Sequence, residues 1–267
     1  MSDFYFDQAI ALECLETGRY SGNTHTAWLN MVGPFGGMTA AVMLQAVMQH
    51  PARLGNPISL TVNFCAGVAE GAYEVSAQPA RTNRSTQHWL IELVQGGEIV
   101  ITATAVTATR RNTFSSNESP MPAVVKAQSL ERALPPKLPW THRYDMRPIT
   151  GYLPTVWDNK NGDTLTQMWV RDVQERAIDF TSLTAIADSF FPRVYLRRKT
   201  FVPIGTVSMT VYFHVDSLEL IALGSTFVLG QAKAQCFFNG FFDQSAQLWS
   251  EAGTLLATTH QMVYYKE

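Results

Sequence analysis

Ser59-Leu60-Thr61-Val62-Asn63-Phe64 returns 149 positions later as Ser208-Met209-Thr210-Val211-Tyr212-Phe213, and Gly97-Glu98-Ile99-Val100 returns 156 positions later as Gly253-Thr254-Leu255-Leu256. Working outward, an apolar helical run precedes each strand-like copy, Gly36 to Leu44 in the first half and Phe180 to Phe190 in the second. A hairpin-like segment follows each, Val94 to Val100 and Trp249 to Leu256. Such a period is too long for a solenoid repeat of ~20–50 residues and denotes two paralogous domains packed together. In a chain of 267 residues each copy has about 130, enough for one core.

The first helix, Gly37 to His50, is built almost wholly from Ala, Met, Leu, Val and Gln. It is apolar around most of its circumference, so it is expected to be buried, and Pro51 ends it. Ile58–Phe64, Ala72–Pro79, Gln87–Val94 and Ile99–Thr107 are short, rich in Thr, Val and Ile, and separated by turn signals, which predicts an antiparallel meander. In the second half the same criteria predict a strand at Thr164–Arg171 and a helix over Phe180–Phe191 closed by Pro192. Further strands are expected at Thr206–His214, Gly224–Leu229, Lys233–Asp243, Ala246–Ser250 and Leu255–Tyr264. A buried helix followed by antiparallel strands implies an α+β class, with a sheet wrapped around each central helix. Five of the thirteen prolines fall between Ser115 and Trp140. They mark an extended linker at 115–140 between an N-terminal domain at 1–114 and a C-terminal domain at 141–267.

Apolar residues make up 46% of the chain and charged residues 16%, with a net charge of −2 and no run of 18 apolar residues, which places it among globular proteins without a membrane span. The start, Met1-Ser2-Asp3-Phe4-Tyr5-Phe6-Asp7, has neither the basic nor the apolar region of a signal peptide, so a cytoplasmic address is expected. Cys14, Cys65 and Cys236 are odd in number and stand at wide spacings free of any metal motif, which predicts buried, reduced thiols. Slight acidity without basic blocks argues against a nucleic-acid partner. The histidines, His25, His50, His88, His142, His214 and His260, show no metal-ligand spacing, and no metal or other cofactor is implied.

The copies differ where chemistry would sit. The first has no acidic residue from Gly36 to Ala52, whereas the second places Asp188 in an otherwise apolar helix. An unpaired carboxylate buried there would cost several kcal/mol, so partners are required. At the 149 offset Thr206 stands where the first copy has Pro57, and at the 156 offset Gln261 stands where it has Ala105. Three hydrogen-bonding side chains unique to the second copy imply one shared polar cluster. Taken singly, each has an ordinary structural reading: Asp188 as a structural carboxylate, Thr206 and Gln261 as satisfied strand residues, Gly36-Gly37 as a turn before a helix.

The order of elements and several motifs resemble the double-hotdog acyl-CoA thioesterases, the thioesterase II group, over roughly residues 10–110 and 150–265. The matching stretches are Gly36-Gly37 at the first helix, Ala185-Ile186-Ala187-Asp188 in the second, Thr206 ahead of Phe213-His214, and Leu256-Ala257-Thr258-Thr259-His260-Gln261. The resemblance implies two tandem hotdog domains, an acyl-CoA substrate, assembly as a homodimer or larger, and an Asp, a Thr and a Gln (Asp188, Thr206, Gln261) that position and activate the hydrolytic water. The family often has His-Gly-Gly where this chain has Phe35-Gly36-Gly37.

The chemistry is consistent with that. Thioester hydrolysis needs an aligned water, a base for its proton, and donors at the developing oxyanion. Asp188 suits the base, Thr206 and Gln261 the water, and the free N–H groups of the Gly36-Gly37 helix start suit the carbonyl oxygen. Arg81 and Arg84 resemble a basic segment of the family and are candidates for the phosphates of coenzyme A. A hotdog hydratase or dehydratase, which would need a histidine paired with an acid, and a non-catalytic acyl-CoA-binding protein remain open alternatives.

Overall fold

The computed structural model describes residues 2–134 and 136–267. The first half comprises α1 (Tyr5–Ile10), β1 (Glu13–Glu16), β2 (Arg19–Asn23), α2 (Gly36–Met48), β3 (Asn56–Phe64), β4 (Ala72–Thr82), β5 (Thr86–Gln95) and β6 (Glu98–Ala108). The second comprises β7 (Tyr144–Thr150), β8 (Thr166–Asp172), α3 (Phe180–Ile186), α4 (Arg193–Arg198), β9 (Ile204–Phe213), α5 (Ser217–Leu223), β10 (Val228–Lys233), β11 (Phe237–Phe238), β12 (Phe241–Ser250) and β13 (Leu255–Tyr265).

All strands join one antiparallel sheet in the order β1-β2-β4-β5-β6-β3-β9-β13-β12-β10-β8-β7, with β11 paired to β12. Read from the centre outward, the two halves repeat the same succession, and they meet where β3 pairs with β9. In that pairing Thr61 stands opposite Thr210, hydroxyl to hydroxyl at 3.0 Å. These are equivalent positions at the 149 offset, so a pseudo-two-fold axis passes between them. Strand β5 shows why the sheet has an inside: Gln87, Trp89, Ile91 and Leu93 are buried while His88, Leu90 and Glu92 face outward. The inner faces wrap α2 and α3, and one continuous cluster of buried apolar side chains runs through both halves. The fold is the α+β double hotdog.

Several local expectations need correction. The second helix does not run to Phe191: α3 ends at Ile186, Asp188 sits in the turn after it, and Pro192 caps α4 rather than closing α3. Lys233–Asp243 is not one strand, because the chain turns after β10 and re-enters at Phe241. Of Gly224–Leu229 only Val228 and Leu229 are strand; Gly224 caps α5 and the residues between are turn and coil. The hairpin β1–β2, strand β7 and helices α1, α4 and α5 carry too little periodicity to be read. All three cysteines are free, and all three are exposed rather than buried.

The proline-dense connection is not a loose tether. It crosses the outer face of the C-terminal half, where Trp169 Nε1 donates to Val125 O at 2.9 Å and Trp249 Nε1 to Ser119 O at 2.9 Å. Ala127 closes a small apolar cluster with both indoles, Phe227 and Leu229. Proline leaves carbonyls as the groups this segment can offer freely, and buried indole N–H groups need acceptors.

Candidate active site

Asp188 owes its position to two glycines. A Cβ on Gly37 would lie 2.6 Å from Ala185 O, and one on Gly36 would lie 2.9 Å from Asp188 Oδ2. Only residues without a Cβ let the start of α2 approach the end of α3 so closely. The Gly37 N–H faces the Asp188 carboxylate and pulls its pKa down, and Gln261 Nε2 donates to Asp188 Oδ1 at 2.8 Å. Gln261 comes from β13 opposite Met209 of β9, and its Nε2 also lies 3.4 Å from Met209 Sδ. In the first half Ala105 stands opposite Leu60 in the same register. The internal comparison of the two copies therefore holds in three dimensions.

Asp188, Gly36, Thr206 and Gln261 all line a cavity of about 950 Å³ between the two halves. Burial pushes the Asp188 carboxyl up to about 7, against the opposing pull of the Gln261 amide and the Gly37 N–H. A carboxyl so placed can hold or release a proton near neutral pH. The β9–β13 register shifts between Thr206 and Ser208, leaving Val207 as the extra residue, and such a bulge re-aims the neighbouring side chains. The Thr206 hydroxyl makes no hydrogen bond to protein among the described residues and is free for a ligand or water. Gly36 N–H likewise has no partner among the described residues, whereas the N–H groups of Met38 and Thr39 return to Phe35 O. Of the two glycine donors expected to face substrate, Gly37 is thus turned to Asp188 and Gly36 is open.

Phe35, where the resemblance leads one to expect histidine, stacks on Trp140 with ring centroids 4.2 Å apart. Both rings belong to the cavity wall, together with Phe190, Phe191 and Tyr195. Arg81 and Arg84 lie elsewhere. They are exposed at the β4–β5 turn, where Arg81 Nε donates to Asn83 Oδ1 at 2.9 Å, and neither lines the cavity. That turn is beside the Asn56 end of β3, whereas the cavity is beside Phe64, about 25 Å away along the strand.

Gln244 is the polar residue that sequence reasoning missed. It is 2% exposed, stands opposite Gln261 on β12, and lines the same cavity. Its position fell in the gap between two expected strands, so its facing could not be read; placing β12 correctly over Phe241–Ser250 would have put it beside Gln261. Among the described residues no group of three or more His, Cys, Asp or Glu side chains could hold a metal ion, and no helix is long and apolar enough to cross a membrane.

The N-terminal domain of acyl-CoA thioesterases matches residues 25–109, and the C-terminal domain of acyl-CoA thioesterases matches residues 118–265. A hotdog-fold protein of unknown function from Alicyclobacillus acidocaldarius is 44% identical, with a TM-score of 0.94 over 100% of this chain and 99% of that one. A provisional thioesterase II from Thermobifida fusca YX is 18% identical, with a TM-score of 0.86 over 100% of both chains. Acyl-CoA thioesterase II TesB2 from Mycobacterium marinum is 17% identical, with a TM-score of 0.78 over 98% of both, a likeness of fold. Among curated proteins none matches the chain.

Proposed function

The chain belongs to the acyl-CoA thioesterase family and is a thioester hydrolase, and from that premise we propose that it cleaves acyl-CoA to a fatty acid and coenzyme A, with Asp188 as the base. The observation that carries this assignment is the Gln261–Asp188 bond of 2.8 Å on the wall of an apolar cavity, beside the open N–H of Gly36. A water held by Thr206 and Gln261 attacks the thioester carbonyl while Asp188 takes its proton. The carbonyl oxygen gains the negative charge and faces Gly36 N–H at the positive end of α2. Collapse of the tetrahedral intermediate breaks the C–S bond, and protonated Asp188 returns the proton to the leaving sulfur. Gln244, next to Gln261, is placed to orient the same water.

A hydratase mechanism is disfavoured because no histidine lines the cavity among the described residues. A purely binding role gives no reason for a carboxyl to be poised near neutrality beside an open donor. Assembly as a homodimer or larger, which rests on the family resemblance, and a cytoplasmic location belong to the same proposal. The test is Asp188→Asn, which keeps the shape and removes the base. Free-thiol release from acyl-CoA is expected to fall by about 10²-fold or more with the fold retained by circular dichroism. Hydrolysis near the wild-type rate would place the base elsewhere.

A further inference from the structure

We propose that Val68, with Pro34 and Thr39, forms the partition that sets how long an acyl chain the enzyme accepts, the tail running from Gly36 along α2 towards the interior of the N-terminal half. The proposal rests on the acyl-thioester reading above. Three observations carry it.

The first is a second void. Beyond the main cavity lies a space of about 20 Å³, room for about one water, and Pro34, Thr39 and Val68 line both. Its other walls include the buried Met38, Val42, Tyr73 and Leu93 together with the half-buried polar Thr24 and His25. The second observation is direction. Gly36 and Thr39 line the main cavity, Thr39 and Val42 line the small void, and these residues succeed one another at three-residue steps on one stripe of α2. The opposite side of the cavity is open: Trp157 and Phe201 are exposed, and Lys137 is the one cationic side chain on the wall among the described residues. An acyl tail gains by entering this mainly apolar end, while the anionic coenzyme A belongs at the open end with Lys137. The third is rigidity. Gly33 has φ +66°, and a Cβ there would fall 2.0 Å from Val68 O, so the turn before α2 clamps the Val68 backbone. Val68 is therefore a fixed wall.

The distance from Gly36 to Val42 along the helix axis is about 9 Å. That is the span of about seven carbons in an extended zigzag of ~1.5 Å bonds. Half of that span, beyond Thr39, lies behind the partition, so short chains should fit in front of Val68 and longer ones should meet it.

The experiment measures kcat/KM by thiol release for straight-chain acyl-CoA substrates from C4 to C16. Val68→Ala joins the two voids and is expected to move the optimum about two carbons longer, raising the ratio of the longer to the original best substrate about tenfold. Val68→Phe is expected to shorten it, lowering the original best substrate at least tenfold while C4 stays within about threefold. Tyr195→Ala, on the far wall of the cavity, is the control and should leave the profile in place. In parallel, thermal-shift titrations with free fatty acids of the same lengths read the partition without turnover. A shift of the fatty-acid profile with Val68, in a protein that hydrolyses no acyl-CoA, would support the partition and remove the hydrolase reading. Hydrolysis whose profile is unmoved by both Val68 variants, or moved only by Tyr195→Ala, overturns the partition. If Val68→Ala does not fold, Val68→Phe together with Thr39→Ser decides on the same criteria.

Discussion

Asp188 carries two linked consequences of one pKa. Burial raises its carboxyl from an ordinary 3.8 to about 7, so the ionised form, the proposed base, becomes abundant only as pH rises through neutrality. Turnover as kcat/KM should therefore climb from pH 5, pass its midpoint near 7 and level off above it. Stability has the opposite slope. Between the unfolded and folded values the native state keeps a proton that the unfolded chain has released, so stability falls as pH rises from about 4 to about 7 and stays reduced above. Asp188→Asn removes that penalty. Its melting temperature should exceed the wild type by several degrees at pH 8, with the gain shrinking towards pH 4. A gain independent of pH would mean that the carboxyl titrates normally in the folded state. The acid was legible because the other copy of the repeat has none at the corresponding stretch, and Gln261 because its counterpart is Ala105, whereas Gln244 was hidden by a misplaced strand. Gly36 and Gly37 were legible as a helix start. That they exist to let Ala185 O and the Asp188 carboxylate approach depends on a partner nearly 150 residues away, and no local pattern encodes it.

At the scale of elements, the break between α3 and α4 decides where Asp188 points. Asp179 and Ser182 form a capping box, which fixes the start of α3. The run from Phe180 to Phe191 nevertheless reads as one helix because its far end is apolar. What ends α3 early is tertiary. Arg193 is fully buried, and its guanidinium donates to Thr164 O at 2.9 Å, to Thr166 Oγ1 at 2.7 Å and to Phe191 O. It ties the turn that carries Phe190 and Phe191 to the start of β8. Burial without a carboxylate lowers its pKa to about 9, so it stays charged at neutral pH. Arg193→Ala should cost about 2–4 kcal/mol, since the carbonyls of Thr164 and Phe191 lose their donor and a cavity opens. Urea denaturation would register that loss, and Arg193→Lys should restore little of it, because one ammonium cannot span three acceptors set in the guanidinium fork. A midpoint unchanged in Arg193→Ala would show that the turn is held by its own backbone. The prolines of the connection announced extended chain, yet not that Ser119 and Val125 would supply acceptors to Trp249 and Trp169, a pairing set only once the outer face of the sheet exists.

For the whole molecule, the duplication gives symmetry and the proposed site breaks it. The pseudo-axis between Thr61 and Thr210 relates the sheet halves strand for strand, but Asp188, Thr206 and Gln261 come from the second half while the open N–H of Gly36 and the Gly37 N–H that faces Asp188 come from the first. Neither half alone contains the proposed site. The halves also share their stability, through the β3–β9 ladder and the contact of α2 with α3, so each alone would expose a long unpaired strand and an apolar helix face. The chain between them is exposed from 111 to 118 and can be opened there without disturbing a buried group. Co-expression of 1–114 with 115–267 should therefore rebuild the β3–β9 seam and recover thiol release from acyl-CoA, the two pieces eluting together on gel filtration. Expressed singly, each should aggregate or remain unfolded and release no thiol. Full activity from 115–267 alone would show that the first half contributes no catalytic donor, and the division of the site between the two copies would have to be withdrawn.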